Sequence, residues 1–182
     1  MLGDWIALIV LGFLWGVQVF LRPFRVSYIR VARVISIALI FCLAFYWSWA
    51  QYETWTGTPF ASIAYFSKYA GLKFFGPPVI ALLAAWVFSR VLRWMNRRYE
   101  NRFFEEEEIP TASLCVFLTG YPLFFLYLII VLIEGLVFSL LYSLLSKGRV
   151  PLYHVWLPTA LFVIIMKIYF LPAVFLAPFT LR

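Results

Sequence analysis

Residues Tyr121–Leu145 read YPLFFLYLIIVLIEGLVFSLLYSLL, an apolar run that holds a single charged side chain, Glu134. A helix gains 1.5 Å per residue, so a run of this length reaches past the roughly 30 Å of hydrocarbon in a bilayer. It reads as a membrane-spanning helix. Five further apolar segments accompany it: Trp5–Leu21, Val34–Ala50, Pro77–Trp94, the short Ile109–Thr119, and a last one from about Val155 to Leu181. Composition agrees with that reading, because 65% of the residues are apolar and 21% aromatic, while only 13% are charged against about 25% in soluble domains. The mean hydropathy is +0.94. Too little polar surface remains to cover a water-soluble globule. The expected fold class is therefore all-α, a single transmembrane domain over residues 1–182 with about six apolar segments. Trp5–Leu21 follows Asp4 rather than a basic stretch and has no small-x-small cleavage site after it, so it is expected to be a retained span.

The charges arrange these segments. Three connections are basic: Arg22, Arg25, Arg30 and Arg33 in the first, Arg90, Arg93, Arg97, Arg98 and Arg102 in the second, Lys147 and Arg149 in the third. Basic connections stay on the cytoplasmic side, and six crossings put all three there with both termini opposite. Ile109–Thr119 is the exception in length, since 11 residues reach only about 17 Å. A short crossing is preferred to a re-entrant segment, which would carry Lys147 and Arg149 to the other side. The connection Gln51–Phe75 is rich in Trp, Tyr and Phe, as befits chain lying at the headgroup level. Arg22, Arg25, Arg90, Arg93 and Arg97, at helix ends, are expected to meet anionic lipid headgroups. The net charge of +7 then needs no nucleic acid to explain it. Gly12 with Gly16, and Ala81 with Ala85, are small-xxx-small pairs that let helices pack closely. Cys42 and Cys115 both lie in apolar segments and are expected to be buried small hydrophobes rather than a disulfide.

The residues with chemistry to offer are few. Glu134 and Lys167 each fall near the middle of an apolar segment, where a bare charge costs at least a few kcal/mol. They are expected to pair with each other; the functional alternative is a proton-relay or ligand site. Glu105, Glu106, Glu107 and Glu108 follow the arginine-rich end of the third segment. They read as a solvated face that pairs with Arg97, Arg98 and Arg102, or as ligands for a hard cation, although consecutive side chains fan around a helix and make a poor cage. His154 is the one histidine, so a zinc or bis-histidine haem site cannot be built from this chain alone. There is no phosphate loop, nucleotide fingerprint or nucleophile elbow. No metal and no cofactor is expected.

From Glu108 onward the spacing resembles the C-terminal half of the type IV prepilin peptidases, membrane aspartic peptidases with a Gly-x-Gly-Asp motif. Glu108 stands at the position of the motif's aspartate. Leu118-Thr119-Gly120-Tyr121-Pro122 matches the turn, Gly135 lies in the long helix, Lys147 and Arg149 in the basic loop, and Val150-Pro151-Leu152-Tyr153-His154 opens the last helix. The likeness covers about 60 residues. It implies a helix arrangement more than an activity, because the family uses two aspartates to activate water and Asp4 is this chain's only one. Glu53 and Glu108 are the carboxylates that stand in their place, and such a pair can share a proton. The added methylene of glutamate displaces the reacting oxygens, and an error near 1 Å can cost about a hundredfold. The expected role is a noncatalytic component of a membrane assembly in the bacterial cytoplasmic (inner) membrane, its partners being the lipid bilayer and other membrane proteins or further copies. The alternatives are an intramembrane acid peptidase using Glu108 and a proton or cation carrier using Glu134.

Overall fold

In the computed structural model, which describes residues 2–20, 26–99, 104, 105, 107–145 and 153–170, the chain is helical and no strand occurs among the described residues. The helices are α1 (Leu2–Phe20), α2 (Val26–Trp55), α3 (Ile63–Ala70), α4 (Gly76–Arg98), α5 (Glu108–Thr119), α6 (Phe124–Leu145) and α7 (Tyr153–Tyr169). Among the described residues four helical stretches are long and apolar enough to cross a membrane: α1, α2, the run Ile63–Arg98, and Phe124–Leu141 of α6. The protein is a helical integral membrane protein. Helices α5 and α7 are shorter and apolar.

Helix α5 is the centre of the fold. All of its residues except Pro110 are buried, and it packs against α1, α2, α4, α6 and α7. Its 12 residues amount to about 18 Å of helix, too short to span hydrocarbon alone. Ringed by other helices it faces protein instead of lipid, and the bilayer thickness no longer sets its length. Its hydroxyl side chains bond within the protein: Thr111 donates to the Glu107 carbonyl at 2.6 Å, Thr119 to the Cys115 carbonyl at 3.0 Å, and Ser113 to the Ala85 carbonyl of α4 at 3.0 Å. Helix α4 answers with a buried face of Ala81, Ala85, Ser89, Leu92 and Asn96. Small residues at these positions let the two backbones approach.

Several boundaries differ from the sequence expectation. Helix α2 begins at Val26 rather than Val34, so Arg30 and Arg33 lie on its first turns; arginine is a good helix former and charge alone does not end a helix. Most of Gln51–Phe75 is helical as well. Helix α2 runs to Trp55, and α3 feeds α4 through a π-helical turn at Gly71–Phe75. Pro77 and Pro78 follow that turn; they donate no N–H, and a proline ring clashes with the carbonyl four residues back, which a widened turn relieves. The aromatic residues there cluster around Trp55, whose ring lies 4.6 Å from Tyr69 and 5.9–6.1 Å from Phe60, Tyr65 and Phe66. Helix α5 ends at Gly120, where φ of +71° is a conformation that glycine adopts without strain. The last segment is helix to Tyr169, with Phe170 in the turn that follows, and residues 171–181 lie outside the described residues.

Candidate functional site

The expected pair of Glu134 and Lys167 is not formed. Lys167 donates instead to Asp4 Oδ1 at 2.5 Å, the two side chains being about a fifth to a quarter exposed. Glu134, half-buried, accepts from the Thr159 hydroxyl at 2.5 Å. The physical reason is helix adjacency: α7 packs against α1 as well as α6, and the two acids meet α7 two turns apart, at Thr159 and at Lys167. The carboxylates Glu53 and Glu108 do not converge either. Glu108 is buried at the start of α5, accepting the Glu105 amide at 3.1 Å, beside Ile109 and Pro110. Those two residues share a cleft with Arg33 of α2, whereas Glu53 stands 20 residues further along α2, about 30 Å of helix away. It is exposed and accepts the Trp49 indole N–H at 2.8 Å.

The other expected residues divide. Ala81 and Ala85 are buried against α5, but a Cβ built on Gly12 or Gly16 would meet nothing within 4 Å; the pair in α1 is not where the described helices meet. Cys115 is buried, while Cys42 is exposed on α2, a correction to its expected burial; both thiols are free. Arg97 and Arg98, exposed on the last turn of α4, form no ion pair with the acidic run among the described residues, and Glu108 turns inward instead. Arg22, Arg25, Arg102, Glu106, Lys147 and Arg149, and the side chain of His154, lie outside the described residues. Among the described residues no three of His, Cys, Asp and Glu converge as metal ligands do.

What the fold does assemble is a basic cleft. Val26, Arg30 and Arg33 from α2, Ser89, Arg93 and Asn96 from α4, and Ile109 and Pro110 from α5 line a space of about 380 Å³. Arg93 is held in place by its own helix, donating from Nη2 to Ser89 Oγ at 2.6 Å and from Nε to the Ser89 carbonyl at 3.1 Å. Arg33 is half-buried and lies close enough to Arg93 for the two cations to repel. Asn96 pins the returning chain, its side-chain amide donating to the Phe104 carbonyl at 2.9 Å and accepting the Phe104 N–H at 3.1 Å. No protein-family model, curated protein or solved structure matches this chain. The cleft therefore has to be read from its own chemistry: a concave site whose donors are cationic and planar suits an anion.

Sequence reasoning placed Arg93 among headgroup contacts with Arg90 and Arg97, without distinguishing it. Arg90 lies over the Trp86 ring, 5.2 Å from its centroid, and Arg97 is exposed. The available signal was helical spacing: Ser89 and Asn96 share the α4 face that carries Ala81 and Ala85, and Arg93, one turn after Ser89, stands beside that face.

Proposed function

We propose that this chain is a noncatalytic component of a membrane protein assembly of the bacterial cytoplasmic membrane, with a prepilin-peptidase-like order of helices that lacks the family's catalytic aspartates. The observation that carries the reading is the separation of Glu53 from Glu108 by about 30 Å of α2, because acid peptidase chemistry needs two carboxyl groups in contact with one water. Support for a partner comes from α6. Beyond Val131 the exposed apolar side chains of α6 include Leu132, Leu136, Phe138, Leu140 and Leu144, while the helix meets α7 through Glu134 and Thr159, so the surface left over is open to lipid or to another helix. Photo-cross-linkers at Leu136 and Leu140 in native membranes are expected to yield discrete protein adducts. Adducts with lipid alone, or robust cleavage of prepilin-like substrates that disappears in Glu108→Gln, would refute the reading. Proton or cation carriage by Glu134 is the second reading, supported by its half-buried place beside Thr159; transport that is lost in Glu134→Gln would favour it.

A further inference from the structure

The cleft between α2, α4 and α5 holds an excess of positive charge that the described protein does not answer. Among the described residues Arg30 and Arg33 make no hydrogen bond or ion pair, and Arg93 bonds only to Ser89. Three guanidinium groups around one space repel, and arginine has no accessible neutral form to relieve this. The carboxylates nearest in sequence to the lining residues are Glu107 and Glu108; Glu108 is buried and engaged with the Glu105 amide. A dianionic ligand would relieve the repulsion and match the forked donors.

The surroundings of the cleft decide the kind of ligand. Val34 lies one turn beyond Arg30 on the same face of α2 and is 63% exposed, and Trp94, next to Arg93 on α4, is 66% exposed. Such side chains on spanning helices face lipid, so the guanidinium groups sit about one turn from hydrocarbon. Val26, Ile109 and Pro110 add apolar wall to the site. About 380 Å³ is at the small end of ligand pockets, roughly 300–1,000 Å³, and exceeds the needs of a bare ion. We infer that this cleft binds the phosphate headgroup of an anionic lipid, with Arg30, Arg33 and Arg93 as its donors and Ser89 holding Arg93 in position. The site is independent of the noncatalytic reading, since neither Glu53 nor Glu134 belongs to it.

The test uses the full chain in nanodiscs of phosphatidylcholine doped with phosphatidic acid, read by thermal unfolding and by retention of the lipid in native mass spectrometry. The wild type is expected to gain thermal stability with phosphatidic acid and to retain it selectively. Arg33→Gln and Arg93→Gln should each lower apparent affinity about tenfold, and Arg97→Gln, on the same helix end but outside the cleft, less than twofold. If Arg33→Gln fails to fold, Arg30→Gln on the exposed rim carries the comparison. An equal loss in Arg97→Gln, or no loss in the cleft variants, would overturn the proposal in favour of diffuse surface charge. Equal protection by inorganic phosphate at matched concentration would overturn the lipid as the source.

Discussion

Lys167 reaches Asp4 across 163 positions of sequence, and the exchange of one expected partner for another shows how little a single charged residue says about its neighbour. A charged group stranded in an apolar helix needs a polar partner, but proximity in the bundle, and not similarity of depth, chooses which: Lys167 meets Asp4, and Glu134 meets a hydroxyl. The contact is partly exposed, so solvent weakens it. A double-mutant cycle of Asp4→Asn and Lys167→Met, followed by unfolding in detergent, is expected to give a coupling energy of roughly 0.5–3 kcal/mol. The same cycle between Glu134→Gln and Lys167→Met should give additive losses, since Glu134 is bonded to Thr159. Strong coupling in the second cycle and none in the first would reverse this assignment.

Helix α5 shows how packing at the level of elements overrides length. Its neighbours shield an 18 Å helix (about 12 residues at 1.5 Å), and small residues on α4 make the approach close enough for Ser113 to reach the Ala85 carbonyl. Replacing Ala85 by Leu inserts volume into this contact and is expected to cost about 1–3 kcal/mol. Gly16→Ala, by contrast, adds a methyl group where no atom lies within 4 Å and replaces a poor helix former, so stability should stay level or rise by roughly 0.5–1 kcal/mol. Thermal unfolding in detergent separates the two. A loss in Gly16→Ala as large as that in Ala85→Leu would mean that α1 packs through its glycines against another chain.

For the molecule as a whole, the charged connections predict that cysteines introduced at Arg98 and Lys147, in a chain freed of Cys42 and Cys115, are labelled from the same face of the membrane. Labelling from opposite faces would make α5 and its turn re-entrant. Much of the fold was legible in residue order: long apolar runs interrupted by arginines announce spanning helices, because a bilayer leaves backbone polar groups no partner except their own helix. That constraint is local, and local patterns therefore carried it. Ala81 and Ala85 were legible as a packing face for the same reason, from spacing on one helix. The central position of α5, the partners of Asp4 and Glu134, the separation of Glu53 from Glu108, and the gathering of Arg30, Arg33 and Arg93 into one cleft were not legible. Each depends on which helices become neighbours. Lipid tails are as apolar as the helix surfaces, so hydrophobicity that drives insertion does not choose among partners; shape and a few polar contacts do, and these exist only once the helices have met.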